Sequence, residues 1–388
     1  MEYYGGKDYS LGGITLLCKF DGQRVTMASQ IAGADETVSS LYSVKSEQAT
    51  MLSFDTYNYL VHYFGQPQGS MADDPNGTLG GDYEFVISDA TADRIELKGK
   101  KYGNRIVMKA FSADQTWKQY LTRIKKVEDD AFFYEYDLLM DGLYTGQMLR
   151  SNYTFIVTYY DEIGKVHQKT VPFMFTADGM RFHEPVTIDG QTMQNFVWKN
   201  EEISFVCTDE GATGVKMKGI YIDGYQSYDY YPGTYLMDFY RLNGATNQLE
   251  VASQEIQLVK NEDGKSYWLK GLEYDILVTY DKPRGGLSIL PQFLKKVQGG
   301  YVYLAMWDLM NDYVLRSSAI GLISYPTTDG IYLVDNGVWM GEISGFIFGV
   351  YDSQDEEASF MGYTDAVAAI RLIKKTIEET GIKCGRCI

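Results

Sequence analysis

Leu11-Gly-Gly-Ile14-Thr-Leu16-Leu-Cys18-Lys-Phe20-Asp21-Gly22-Gln-Arg-Val25-Thr-Met27 is the stretch whose reading decides the fold class. In an extended chain side chains alternate between two faces. Ile14, Leu16, Cys18 and Phe20 therefore share one face, and Thr15 and Lys19 lie on the other. Asp21-Gly22 supplies a tight turn, and Val25 and Met27 begin a return strand. Period two broken by Asp-Gly is the signature of an antiparallel hairpin.

The same texture spreads outward. Residues 51–54, 83–87, 94–98 and 104–111 read as further strands, 57–64 is dense in aromatic residues, and the Gly/Pro/Asp/Asn-rich 66–80 reads as a loop. Some six strands over the first ~110 residues imply a closed or nearly closed barrel, or a sandwich. At Ser112 the texture changes. Ser112-Ala-Asp-Gln115 fits a capping box, and Trp117, Leu121, Ile124 and Val127 recur at helical spacing, predicting a helix to about residue 128. From 153 onward the strand pattern returns, with segments at 153–160, 171–175, 267–269, 274–280 and 301–306. Val367, Ile370, Ile373 and Ile377, closed by Gly381, predict a second helix near 365–380. The expected class is mainly β, with antiparallel barrel- or sandwich-like domains, a connecting helix and a C-terminal helix. The expected divisions are 1–111 (β), 112–148 (helical connector), 149–325 (β) and 326–388 (C-terminal segment). A weak echo between 94–111 and 265–290, each a hairpin with a Lys-Gly pair, fits two related β domains.

Composition narrows the function classes. The 45% hydrophobic content of the 388 residues allows a full core, and the formal charge of −17 disfavours nucleic acid and anionic lipid as partners. No apolar run approaches the length of a membrane-spanning helix. The three histidines, His62, His167 and His183, lack the His-Glu-x-x-His spacing of a zinc site, and no nucleophile elbow or phosphate loop occurs. No metal or cofactor is expected. Cys18 and Cys207 read as buried thiols, and Cys384-Gly-Arg-Cys387 as a small terminal disulfide or free thiols.

Two constellations remain. Asp82 and Glu84, two apart on one expected strand, would face the same side and fit acid–base work; a wet strand face explains them equally. Asp55 and Asn58 suit local turn bonding. The 33 tyrosines favour a large antiparallel β protein, and they crowd between residues 221 and 235. Tyr225, Tyr228, Tyr230, Tyr231 and Tyr235, flanked by Asp, Gln and Ser, suit stacking on sugar rings; a tyrosine-rich corner packed internally is the bland alternative.

Phe54, Asp55, Thr56, Tyr57 and Asn58, then Gly81, Asp82, Tyr83, Glu84 and Phe85, and Leu97-Lys98-Gly99-Lys-Lys-Tyr-Gly-Asn104 resemble the N-terminal block of a Bacteroidetes surface-lipoprotein family known only as domain of unknown function 4302. The resemblance is best over 1–128. It implies an outer-membrane or periplasmic lipoprotein associated with nutrient import, and supplies no catalytic residues. Members begin with a lipoprotein signal, and Met1-Glu-Tyr-Tyr4 resembles the tail of the stretch where their folded part starts. The first functional expectation is a non-enzymatic binding or accessory protein capturing a glycan or peptide beside an outer-membrane import complex. Alternatives are a carboxylate-dependent hydrolase such as a glycosidase, and a structural subunit holding a protein partner.

Overall fold

The computed structural model describes residues 1–5, 9–46, 49–65, 80–161, 163–355 and 357–375. The expected loop at 66–80 lies almost wholly outside them, as do Cys384, Cys387 and the last residues of the expected C-terminal helix. The chain forms two compact units, Met1–Tyr221 and Ile222–Ile388.

The first unit opens with a barrel of eight antiparallel strands: β1 (Glu2–Tyr4), β2 (Gly13–Asp21), β3 (Arg24–Ser29), β4 (Val38–Ser46), β5 (Thr50–Phe54), β6 (Glu84–Ala90), β7 (Arg94–Gly99) and β8 (Arg105–Lys109), closed by pairing of β1 with β8. Closure leaves no free sheet edge. The opening hairpin pairs Asp21 with Arg24 and sends Ile14, Leu16, Val25 and Met27 inward with Tyr3, Phe54, Phe64 and Phe85.

Helix α1 (Trp117–Asp130) follows and buries Leu121, Ile124 and Val127, the stripe read from its spacing. Its capping box is Thr116 with Gln119, one turn later than the expected Ser112/Gln115 pair. The cap must directly precede the apolar stripe, and that stripe begins at Trp117. The expected 112–148 connector ends early: β9 (Glu135–Met140) and β10 (Leu143–Ser151) already belong to a second eight-stranded barrel. The remaining strands are β11 (Thr154–Tyr160), β12 (Val166–Phe175), β13 (Gly179–Ile188), β14 (Gln191–Lys199), β15 (Ser204–Cys207) and β16 (Val215–Ile220), with β16 returning to β9. Phe155, Phe173, Phe175, Phe182 and Phe205 fill its core.

The second unit holds twelve strands: β17 (Gly233–Asn243), β18 (Gln248–Lys260), β19 (Ser266–Lys270), β20 (Ile276–Asp281), β21 (Gly286–Ile289), β22 (Gln292–Val297), β23 (Gly300–Asp308), β24 (Tyr313–Leu315), β25 (Leu322–Thr327), β26 (Gly330–Asp335), β27 (Gly345–Tyr351) and β28 (Phe360–Lys374). Strands β17–β21, β25, β26 and β28 form an eight-stranded ring closed by β17 on β28. The long β28 also carries a flank of β27, β23, β22 and β24. The division inside the expected 149–325 domain thus falls near residue 221, and residues beyond 326 complete the last sheet.

The expected C-terminal helix is a strand through Lys374. A β-bulge explains the misreading. Ala369 adopts a left-handed conformation at φ 50, and the register with β17 slips there. The extra residue turns an inward spacing of two into three, so Val367, Ile370 and Leu372 all reach the core. Three-residue spacing of apolar side chains mimics one face of a helix.

Candidate functional site

The recognised N-terminal block resolves into structural roles. Asp82 and Glu84 do not form a facing pair. Asp82 lies before β6, is buried, and accepts hydrogen bonds from the backbone N–H groups of Lys101 (2.7 Å), Tyr102 (3.1 Å) and Asn104 (3.3 Å) and from Asn104 Nδ2 (2.9 Å). It organises the turn between β7 and β8 as an anion held by amides. A Cβ on Gly99 would stand 1.9 Å from Asp82 Oδ2, which is why the block needs a glycine there. Glu84 instead pairs with Lys100 at 3.2 Å on the surface. Gly81 N–H donates to the Phe64 carbonyl, and Phe54 and Phe85 are core residues. Thr56 Oγ1 accepts from Leu41 N–H at 2.8 Å; Asn58 Oδ1 accepts from Leu60 N–H at 3.1 Å, an Asx turn; Asp55 accepts from Ser53 and faces Lys45. Residues 59–65 form turns, so His62 is not part of a strand wall. Its ring stacks on Tyr83, which is 46% exposed, and lies beside Tyr57, which is 67% exposed. Partial burial lowers the His62 pKa. Lys98 is exposed on β7.

The tyrosine-rich stretch is a packed corner, the internally packed alternative that its sequence offered. Tyr231 and Tyr235 are fully buried. Tyr231 donates its hydroxyl proton to the Gly285 carbonyl at 2.8 Å, Tyr235 to the Tyr231 carbonyl at 2.6 Å, and Tyr228 to the Ser266 carbonyl at 2.8 Å. Tyr267 and Tyr280 join them, the latter donating to the Gln226 carbonyl at 2.8 Å and accepting from the Tyr225 hydroxyl at 3.1 Å. A buried phenol needs such an acceptor, and burial of Tyr231 and Tyr235 leaves their rings no open face. Burial raises the pKa of Tyr231, Tyr235, Tyr267 and Tyr280. Tyr230 alone of the five is substantially exposed, at 39%, with Lys374 Nζ 4.9 Å from its ring centre.

The concave aromatic surface lies elsewhere in the second unit, on the outer face of the flank. A cleft of about 680 Å³ is lined by Phe293 of β22, Tyr303 of β23, Tyr351 at the end of β27 and Phe360 at the start of β28. Alternation places them there: Val302, Leu304, Phe346 and Phe348 point into the core, so Tyr303 and Tyr351 lie on the opposite face, Tyr303 half-buried and Tyr351 buried by its neighbours. The rings are contiguous, with centroids 5.4 Å apart for Phe293–Tyr303, 5.8 Å for Tyr303–Tyr351 and 5.5 Å for Tyr351–Phe360. Phe293 and Phe360 are each 45% exposed. The Arg316 guanidinium lies 4.2 Å from the Tyr351 ring centre and 4.8 Å from that of Tyr303. Ser318, Gln354 and Asp355 add polar groups whose side chains make no hydrogen bond among the described residues. Asp355 is the only carboxylate lining the cleft among the described residues, whereas glycoside hydrolysis by acid–base chemistry takes two. Among the described residues no group of three or more His, Cys, Asp or Glu side chains could hold a metal ion.

Sequence reasoning missed this cleft because its rings are dispersed. Phe293, Tyr303, Tyr351 and Phe360 stand on four strands, each flanked by ordinary strand sequence. Tyr301-Val-Tyr303 was legible as a strand with one aromatic face, but nothing local says that this face is the outer one.

Three eight-stranded antiparallel β rings and one helix among the described residues define an all-β protein with an aromatic cleft on a sheet face. The chain belongs to the family described as Domain of unknown function (DUF4302), which matches residues 1–200. A second family described only as a domain of unknown function (DUF4987) matches residues 208–347. No curated protein and no solved structure matches the chain. No helix among the described residues is long and apolar enough to cross a membrane.

Proposed function

We propose that this protein is a non-enzymatic binding protein for nutrient glycans, and that the outer-face cleft of the second unit is its ligand site. The observation that carries the reading is the contiguous run of Phe293, Tyr303 and Phe360, with the buried Tyr351 joining them, in one concavity that Ser318, Gln354 and Asp355 also line, their side chains making no hydrogen bond among the described residues. Sugar rings present C–H faces to aromatic faces and hydroxyls to polar neighbours, and this combination supplies both. Asp355, the only carboxylate lining the cleft among the described residues, favours capture over hydrolysis. An address at the outer membrane or in the periplasm, beside an import complex, accords with the lipoprotein character expected from the family resemblance and is part of the proposal. A peptide with aromatic or apolar side chains is the other ligand that such a cleft accommodates.

The test is isothermal titration against neutral oligosaccharides chosen by thermal-shift screening, repeated with the double substitution Phe293→Ala/Phe360→Ala. Both rings are about half exposed, so the fold should tolerate their loss. Affinity should fall at least tenfold, about 1.4 kcal/mol. Unchanged affinity in the folded variant removes the cleft as the site. A response to peptides alone redirects the proposal to that class.

A further inference from the structure

Independently of the cleft, we propose that the outer face of β7–β8–β1 in the first barrel is a binding site for acidic oligosaccharides whose carboxylates sit on successive sugar rings. In a chain of net charge −17, the hairpin from Arg94 to Lys109 carries Arg94, Lys98, Lys100, Lys101, Arg105 and Lys109 against the single acid Glu96. The register turns this bias into a pattern. Arg94 pairs with Lys109, Glu96 with Val107 and Lys98 with Arg105, while Glu2 of β1 lies across from Val107 on the other side. Interior side chains Leu97, Ile106 and Tyr3 alternate with these, so all of them share the outer face. The face therefore shows a cationic row, a row of Glu96, Val107 and Glu2, and a second cationic row. The two cationic rows are four residues apart along β8, about 13 Å at strand rise.

A concavity of about 310 Å³ spans both rows. Arg94, Arg105 and Val107 line it with Glu2, Tyr4, Arg181, His183 and Glu184, so that three guanidinium groups face two lining carboxylates. The two central carboxylates are each shared by two cations. Glu96 lies 2.6 Å from Arg94 and 3.4 Å from Arg105; Glu2 lies 3.0 Å from Arg181 and 3.1 Å from Lys109. Positive charge is thus in surplus, and the side chains of Arg94, Arg105 and Lys109 remain about half exposed. Guanidinium groups present planar forks that match carboxylates. The intervening Glu96 and Glu2 repel a compact polyanion, whereas an oligouronate of three rings can direct its two end carboxylates to the cationic rows and turn its middle one outward to solvent. Tyr4, packed against His183 with ring centres 4.3 Å apart, forms an aromatic wall at one end. A second cationic feature such as this also answers the overall charge: the acidic bulk of the chain deters polyanions except where the hairpin reverses the local field.

The experiment is titration calorimetry of the full chain at low salt with trigalacturonate, inorganic phosphate and neutral maltotriose. Trigalacturonate should bind, and its affinity should fall at least tenfold when salt is raised from ~20 to ~200 mM, because the contacts are between exposed charges. Arg94→Gln/Arg105→Gln should weaken it at least tenfold. Lys98→Gln removes a cation that holds no ion pair among the described residues and so should not unbalance the fold; it should weaken binding about threefold. Lys216→Gln/Lys270→Gln, cations on other strands, should leave it within twofold, and maltotriose should respond to none of these substitutions. No heat with trigalacturonate, undiminished binding to both Arg94→Gln/Arg105→Gln and Lys98→Gln, or phosphate binding as tight as trigalacturonate each overturns the proposal. Because Phe293→Ala/Phe360→Ala leaves this face intact, loss of neutral-sugar binding in that variant with trigalacturonate binding retained separates the two sites.

Discussion

The second unit contains two aromatic assemblies, and they differ in the opposite sense to their prominence in sequence. Tyr225, Tyr228, Tyr230, Tyr231 and Tyr235 are crowded into one short stretch, yet they fold into a corner where backbone carbonyls take the hydroxyls of Tyr228, Tyr231 and Tyr235 and the Tyr280 hydroxyl meets that of Tyr225. Phe293, Tyr303, Tyr351 and Phe360 are scattered over nearly seventy residues, yet they meet in one open cleft. A dense run of rings in a loop must bury most of its own apolar area to exist in water. Rings placed singly on the outer positions of neighbouring strands are assembled by the sheet and held apart from the core. Local density therefore marks packing here, and cross-strand register marks the surface that can bind.

The largest effect that tests this contrast is on stability. Tyr231→Ala should cost about 3–5 kcal/mol, the range for deleting a fully buried large side chain, including loss of the shorter of the two hydrogen bonds to the Gly285 carbonyl, which keeps only that from Gln226 N–H. Urea unfolding of the variant measures it, and oligosaccharide affinity of the fraction that remains folded should be unchanged. A stable Tyr231→Ala protein that has lost its ligand would reverse the contrast.

Next in size is an alkaline effect. Burial holds the phenols of Tyr231, Tyr235, Tyr267 and Tyr280 protonated above the ordinary tyrosine range. The folded state thus binds these protons more tightly than the unfolded state. Their contribution to stability is whole below the unfolded phenol pKa of ~10 and is lost as pH rises above it. Unfolding midpoints compared at pH 9 and pH 11 should fall, and Tyr267→Phe/Tyr280→Phe should flatten that fall even though it lowers stability at pH 9 by about 1 kcal/mol per lost hydrogen bond. Parallel falls in wild type and variant would show that these phenols titrate as exposed ones do.

How much of this was legible follows the same physics. The opening hairpin and the stripe of α1 were read correctly because each is a local pattern: alternation about a turn, and Leu121, Ile124 and Val127 at helical spacing. The strand β28 was misread because the bulge at Ala369 is decided by pairing with β17, not by its own residues. The roles of Asp82 and Gly99 were equally hidden, since the acceptor and the amides it serves lie about twenty residues apart. The cationic hairpin at 94–109 was visible in composition, but its three-row order required the register of β7 on β8.

A smaller effect sharpens the cleft side. Gly349 lies opposite Tyr303 on β27, and a Cβ there would meet Tyr351 Cε2 at 2.9 Å and Phe360 Cε2 at 3.2 Å. The Phe360 ring is half exposed and can swing aside, and the buried Tyr351 must shift with it. Alanine suits strand backbone at least as well as glycine. Gly349→Ala should leave stability within ~0.5 kcal/mol and weaken neutral-oligosaccharide binding a few-fold by displacing the two rings. Loss of stability without loss of affinity would mean that the rings are packing elements only.

The smallest effect concerns Tyr230, the one ring of the corner that reaches solvent. Its neighbours are Tyr231, edge-on at 5.2 Å, and Lys374, which also donates to the Tyr230 carbonyl. Alanine removes an exposed cation–π contact worth about 0.5–1 kcal/mol and leaves the Lys374 bond to the backbone in place. Tyr230→Ala should thus lower the unfolding free energy by no more than about 1 kcal/mol, far less than Tyr231→Ala one position along. Affinity for a neutral oligosaccharide should be untouched, because Tyr230 does not line the cleft. If Tyr230→Ala removes binding while Phe293→Ala/Phe360→Ala does not, exposure of a single ring outweighs the concavity built by four, and the corner is the ligand site after all.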